Sequence, residues 1–462
     1  MHAGLYSFII PFKKPLRLQR GVLSERHGLY LVIDGRIGEI SPLPDFSRET
    51  LEEAAAEAVN LCRIINSSAT ALDIKDREVL LYGGENKDRN KNQSEKERVI
   101  CIKSPSLQFA LLMIKHPLTG IERKPPYRFI LGTPDECILS VEKYLLSSLS
   151  GISHGDSITG DYAAFREDFP DYQETVRMYR LSPVLPETDS QNTINDLRLI
   201  SEYINECRHR NPTRHQNNIR NTASSLQGKS SLREKCSASV TIKLKIGIYP
   251  VEIEISMLRE IVSLIRKYTV RLQKNLNPGN ENSPEALSYS QTVTTKDFSV
   301  NIILDANLSL TPETLLKYIS ATEGFLKYIE DPCQDYHLLR KLCPGLPIAF
   351  DELYRKGLAP AVFSGLDTLI IKPGITDGII SLMEKHSGIQ DDSDICNGAN
   401  NTPAGSLLTH KTEPVQPSVN ITLSSAFESV IGISYIEKLS EKLRLNQPGT
   451  DTLKYFITEL QQ

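Results

Sequence analysis

The sequence predicts an α/β protein: a modified (β/α)8-type (TIM) barrel with an N-terminal α+β capping domain and several long insertions. Three observations carry this. Short apolar runs of the kind that form buried parallel strands recur from about residue 219 onward. Helix-period segments separate them. A charged residue then closes run after run: Lys243 and Lys245 in Thr-Ile-Lys-Leu-Lys-Ile-Gly, followed by Asp305, Glu330, Asp351 and Lys372. Charge at the end of a buried strand is costly unless it is paired or binds a metal. Barrels of this class place their active sites at the strand C-terminal ends.

The chain has 462 residues, room for a barrel of about 250 and a second domain. Residues 1–115 read as the capping domain. Tyr6–Pro11 and Gly28–Asp34 alternate as strands, and Asp34-Gly35 is a turn signal. The stretch Leu16–His27 between them reads as a loop or open hairpin. Ser47, ahead of an acidic first turn, is placed to cap a helix running to about Ile65. Residues 116–217 read as an insertion of unknown role, with helices at Ile138–Leu149 and Thr193–Arg208.

Strand, helix and strand alternate over the catalytic region, residues 218–445. The strands are expected at Ile219–Ser225, Val240–Ile246, Val300–Asp305, Phe325–Glu330, Pro347–Asp351, Thr368–Lys372 and Val419–Ser424. Helical stretches include Ile255–Gln273, Pro312–Thr322, Asp335–Leu342 and Ser425–Leu443. A weak eighth strand is expected near Thr452–Phe456, in a C-terminal segment 446–462. Asn86–Lys96, Asn275–Asp297 and Ser387–Ser418 are polar or rich in Gly, Asn and Ser, and read as inserted loops.

A net charge of -4 gives no global field that would favour nucleic acid or an anionic membrane. No apolar stretch approaches the roughly 18 residues of a membrane span. The apolar run Leu5–Ile10 precedes Lys13 and Lys14, the reverse of a signal peptide's order. The eight cysteines form no Cys-x-x-Cys pair. A soluble cytoplasmic protein with reduced thiols is expected.

Asp305, Glu330 and Asp351 close three successive strands, so their carboxylates can converge on a hard divalent cation such as Mg2+. Each alone also suits a helix cap or a salt bridge. Lys243 and Lys245 are two apart on one strand and face the same side. Lys372 closes a strand across the barrel. A cation between two lysine positions would stabilise the enediolate of a small-molecule carboxylate while one lysine takes the α-proton. Ser424 and Ser425 are placed either to bind a carboxylate with N–H and hydroxyl groups or simply to cap a helix.

Several stretches together resemble one family. They are Arg26-His27-Gly28-Leu29-Tyr30, Gly38-Glu39-Ile40-Ser41-Pro42, Pro105-Ser106 and Lys243-Leu244-Lys245-Ile246-Gly247. Asp305-Ala306-Asn307, Glu330-Asp331-Pro332-Cys333, Asp351-Glu352, Ile371-Lys372-Pro373 and Ser424-Ser425 with Glu428-Ser429 follow in order. The pattern resembles the o-succinylbenzoate synthase family of the enolase superfamily, roughly over residues 1–113 and 218–456 less the insertions. The resemblance implies Mg2+ on Asp305, Glu330 and Asp351. It implies Lys245 as the base and then the acid of a dehydration, with Lys243 orienting it and Lys372 stabilising the enediolate. Ser424, Ser425 and Arg26 would bind substrate, and Leu16–His27 would close over the ring. The implied reaction is a step of menaquinone biosynthesis. An N-succinylamino acid racemase, a dipeptide epimerase and a non-catalytic binding protein on the same fold are the alternatives.

Overall fold

The computed structural model describes residues 2–18, 21–67, 102–153, 172–185, 190–209, 238–276, 298–355, 367–376 and 420–457. The expected strand at 219–225 and the expected loops at 86–96 and 387–418 lie outside them, as does all but the start of 275–297. Among the described residues the strands in chain order are β1 (Ala3–Leu18), β2 (Gly21–Ile33), β3 (Arg36–Ile40), β4 (Arg128–Ile130), β5 (Ser182–Pro183) and β6 (Ala238–Lys245). They continue with β7 (Phe298–Asp305), β8 (Leu326–Glu330), β9 (Ile348–Phe350), β10 (Thr368–Ile371) and β11 (Asn420–Leu423).

The capping domain is an antiparallel sheet of order β3-β2-β1-β5. Asp34 and Gly35 take φ of 45° and 75°, the two left-handed residues a tight hairpin between β2 and β3 requires. The β1–β2 pairing extends to Leu18↔Gly21 with an irregularity between Pro11 and Leu16. Of the two expected alternatives, Leu16–His27, where described, is therefore the hairpin and not the loop. The helix Leu51–Ser67 buries Ala54, Ala58, Leu61, Cys62 and Ile65, one face at helical spacing, against Leu5, Leu29 and Leu31 of the sheet. Its cap is Thr50: Thr50 Oγ1 accepts from Glu53 N, and Glu53 Oε2 accepts from Thr50 N. Ser47, the expected cap, instead accepts from Leu43 N at 2.7 Å.

The second sheet is parallel, of order β11-β10-β9-β8-β7-β6-β4, chain order throughout except that β5, between β4 and β6 in sequence, belongs to the capping sheet. Helices follow the strands as expected, at Val251–Leu276, Pro312–Thr322, Tyr336–Leu342 and Val430–Lys442. Two expectations are corrected. First, the 116–217 stretch is not all insertion. It supplies β4, paired in parallel with β6 through Arg128↔Ile242 and Phe129↔Lys243, and the helix Pro134–Ser153, which packs on Val251–Leu276. It also supplies β5 to the capping sheet through Tyr6↔Pro183. Three residues of strand, between Pro125-Pro126-Tyr127 and Leu131-Gly132, carry too little period-2 signal to be read from sequence.

Second, the eighth strand position is not filled by 452–456, where Leu453–Tyr455 forms a 3-10 turn. It is filled by Pro448–Gly449. Gly449 N donates to Leu423 O at 2.8 Å and Gly449 O accepts from Ser425 N at 3.0 Å, while Pro448 O accepts from Tyr127 N at 3.0 Å. This extended dipeptide bridges β11 and the start of β4. Proline has no N–H to continue a ladder, so the closure is short and lacks a strand-like signature. Beyond it, Ile457 N donates to Pro11 O at 2.8 Å and Phe456 stacks on Phe12 at 4.7 Å, returning the chain to the capping domain.

Gly38 of β3 sits where the helix Pro105–Lys115 crosses. A Cβ there would stand 2.3 Å from the Ala110 carbonyl oxygen, a backbone atom. Gly38→Ala is expected to destabilise the fold by about 1–3 kcal/mol through overpacking. Urea denaturation checks this, and an unchanged midpoint would contradict the packing described.

Candidate active site

In β6, Leu244 points into the hydrophobic core while Lys243 and Lys245 point the other way, as alternation dictates. Register does the rest. Lys245 lies level with Asp305, and Asp305 with Glu330. Asp351 follows β9, Lys372 follows β10 and Ser424 follows β11. The structure therefore brings the strand-end charges expected from sequence to one end of the barrel. A cavity of about 350 Å³ opens there, lined by Lys243, Lys245, Asp305 and Lys372 on its charged side. Leu43, Phe46, Phe129, Leu131 and Phe427 line its apolar side.

Lys243 is shared. Its Nζ lies 2.7 Å from Glu330 Oε2 and 2.9 Å from Asp305 Oδ2. Lys245 Nζ takes the other oxygen of Asp305 at 3.0 Å. Asp351 is held between Lys372 Nζ at 2.5 Å and Arg355 Nε at 3.0 Å. Burial alone would lower the Lys243 ammonium, but Asp305 and Glu330 outweigh it and hold it well above the usual lysine range. Burial would raise Asp305 and Asp351, yet the adjacent cations keep both below the usual carboxylate range. At Glu330 burial wins: Lys243 draws the carboxyl down, Asp305 and Asp351 push it up, and it stays raised. Asp331 accepts from the backbone N–H groups of Asp351, Glu352 and Leu353, and so fixes the turn that presents Asp351.

The three carboxylates offer hard oxygen donors from successive strand ends, the donor type Mg2+ takes, and they fit that ion in kind. In this conformation lysines hold those oxygens, and among the described residues no three acidic, His or Cys side chains are arranged around one point.

Other expectations change. Arg26 is 1% exposed and lies off the cavity lining. Its guanidinium donates to the carbonyls of Ser41, Pro42 (2.7 Å), His27 (3.4 Å) and Phe427 (3.1 Å). It is spent on backbone, not offered to substrate. None of the described residues in Leu16–His27 lines the cavity; the capping domain reaches it through Leu43 and Phe46. Ser424 and Ser425 do line it, but their N–H groups bond Ile371 O and Gly449 O. Their hydroxyls bond Gly449 O and Glu428 Oε2. The helix beyond starts at Val430, capped by Ser429, so no free N-terminal turn faces the cavity at the serines.

Sequence reasoning missed four contributors. Arg355 stands four residues after Asp351, an i,i+4 signal that was available. Phe129 and Tyr127 come from the stretch read as insertion, and Lys243 Nζ lies 5.8 Å from the Phe129 ring centroid. Glu39, unassigned from sequence, is fully buried. It accepts from Ser429 N (2.8 Å), Ser429 Oγ (2.6 Å) and Gly432 N (2.9 Å), gripping the start of the helix Val430–Lys442 from the capping domain.

Comparison with known proteins agrees with the resemblance read from sequence. Residues 1–75 match the family described as MenC, N-terminal domain. Curated o-succinylbenzoate synthases of Vibrio cholerae serotype O1 are 25% identical over 170 residues, 34% of this chain. The match spans 44% of the length of those relatives. Among solved structures, the chain is similar to an o-succinylbenzoate synthase from Thermosynechococcus elongatus with Mg in its active site. That pair shares 15% identity and a TM-score of 0.44, over 99% of this chain and 95% of that one. The L-Ala-D/L-Glu epimerase from Bacillus subtilis gives 12% identity and a TM-score of 0.49, over 100% and 92%. Among the described residues no helix is long and apolar enough to cross a membrane.

Lys243 neutralises Glu330 and half of Asp305 inside the barrel. Lys243→Met is expected to cost about 3–5 kcal/mol of stability, the usual cost of orphaning a buried charge. Chemical denaturation measures it, and a loss within experimental error would contradict the bridging role.

Proposed function

We propose that the protein is an o-succinylbenzoate synthase, a Mg2+-dependent lyase of the cytoplasm acting in menaquinone biosynthesis. It would dehydrate 2-succinyl-6-hydroxy-2,4-cyclohexadiene-1-carboxylate to 2-succinylbenzoate. The observation that carries this reading is one cavity with Lys245 and Lys372 on its wall, carboxylates beside them and apolar residues in the same lining. The N-terminal family match supports it.

Lys245, as the free amine, takes the proton α to the substrate carboxylate. The bond electrons move into the carboxylate as an enediolate. Lys245, now an ammonium, returns that proton to the departing hydroxide, so the leaving group is water and the base is regenerated. Lys372 stays cationic beside the enediolate and stabilises its charge. Lys243 holds Asp305 and Glu330 in place. Mg2+ held by Asp305, Glu330 and Asp351 would supply Lewis-acid stabilisation of the carboxylate oxygens. Phe46, Phe129, Leu131 and Phe427 would pack on the ring and exclude water. Aromatisation provides the driving force once the proton is lost.

A second reading has one observation in its favour. Two lysines on one cavity also suit 1,1-proton transfer, as in racemisation of N-succinylamino acids. Exchange of the α-hydrogen in D2O with those substrates, in the absence of dehydration, would favour it.

Lys245→Ala and Lys372→Ala are each expected to lower turnover by about 10²–10⁴. Both should fold, because Lys243 still pairs with Asp305 and Arg355 with Asp351. Near-normal turnover in either, followed by loss of the diene's ultraviolet absorbance, would overturn its role. Glu330→Gln should weaken Mg2+ binding at least about tenfold by calorimetry, and unchanged affinity would remove Glu330 from the ligand set.

A further inference from the structure

Arg26 was singled out in the sequence, yet its guanidinium never reaches the cavity. What it does reach is both walls of it. On one side its donors close on the Ser41 and Pro42 carbonyls, in the segment that leads directly into Leu43 and Phe46. On the other side Nε holds the carbonyl of Phe427, whose ring lines the cavity and meets Phe12 edge-on at 5.9 Å. Phe427 has φ of 64°, a conformation that a bulky residue adopts only when its surroundings impose it. The surroundings are specific. Phe427 N donates to Ser425 Oγ, the Ser425 hydroxyl donates to Glu428 Oε2, and Arg26 takes the Phe427 carbonyl. Burial pushes the Arg26 guanidinium down only to about 10, with Glu428 and Glu39 opposing the fall, so it is charged at neutral pH.

We infer that Arg26 is a positioning residue for substrate specificity: by tying the Ser41–Pro42 turn to the left-handed Phe427, it sets the spacing between the capping-domain wall and the barrel wall of the apolar side, and so selects a ring-bearing carboxylate over an acyclic one. This rests on the synthase reading for the identity of the ring. A planar guanidinium with several fixed donors can bond carbonyls in two directions, whereas a single ammonium cannot reproduce that fork. Its action is on binding, not on proton transfer, since it touches none of Lys245, Lys372 or the strand-end carboxylates.

The test compares wild type with Arg26→Met and Arg26→Lys. Steady-state dehydration is measured alongside calorimetric binding of 2-succinylbenzoate and of 4-oxopentanoate, which keeps the keto acid and lacks the ring. In Arg26→Met the KM and the 2-succinylbenzoate Kd should rise at least about tenfold, with kcat within about threefold and 4-oxopentanoate binding within about twofold. Arg26→Lys should fall between. Unchanged KM and Kd in folded Arg26→Met would overturn the inference, as would equal weakening of both ligands, the signature of direct contact with a carboxylate. Should Arg26→Met not fold, Arg26→Lys, which keeps the charge and loses the planar fork, should show the same ring-selective loss in smaller degree, and no loss in it would again overturn the inference. Wild type that binds 2-succinylbenzoate without dehydrating its precursor would refute the synthase reading while the Kd comparison still decides Arg26. Wild type that neither binds nor turns over would refute both.

Discussion

The arrangement of the barrel interior depends on one ammonium group. Lys243 Nζ touches both Asp305 and Glu330 at residues that are 6% and 1% exposed. Two carboxylates side by side in a low-dielectric interior repel each other and resist ionisation. A lysine between them turns that repulsion into two attractive contacts. Strand register makes the geometry possible: Phe129, Lys243 and Ile303 lie across from one another, and two residues further Lys245, Asp305 and Glu330 do. A one-residue slip of any of these strands would turn its own charges into the hydrophobic shell. The same interaction that satisfies the buried carboxylates thus helps specify how β6, β7 and β8 align.

Charge also joins the two domains. Glu39 reaches from β3 to the N-terminal turn of Val430–Lys442, where the helix dipole favours an anion. Arg26 reaches from β2 to Phe427. Phe12 and Phe456 stack where the chain end returns. Phe427 in a left-handed conformation carries a strain of about 1–2 kcal/mol, which these contacts offset. The cavity is therefore a joint product of the capping domain and the barrel, with charge supplied by strand ends and apolar surface supplied by both.

How much of this was legible depends on how each feature is encoded. Strands β6 to β10 and the charges that end them were readable because an apolar run closed by Lys, Asp or Glu is an improbable pattern without a structural reason. Helix Pro312–Thr322 was placed to the residue because Thr311 and Pro312 mark its start. In contrast, β4 was hidden by its brevity, and the Pro448–Gly449 closure by its irregular bonding. Arg26 was recognised as a residue that matters, but motif resemblance carries no information about which way a guanidinium points. Ser424 and Ser425 likewise reach the cavity, yet their donors are already engaged, which only the hydrogen-bond pattern reveals. Glu39 illustrates the opposite limit: a carboxylate in a turn-like sequence whose partner lies 390 residues away.

The strand-end charges are proposed to form a Mg2+-dependent dehydration site. The most direct measurement is turnover of 2-succinyl-6-hydroxy-2,4-cyclohexadiene-1-carboxylate by the intact protein, with Mg2+ and then with EDTA. Rapid conversion to 2-succinylbenzoate that EDTA abolishes and added Mg2+ restores is the result expected. A folded, Mg2+-supplied protein that leaves the diene unchanged would contradict that proposal.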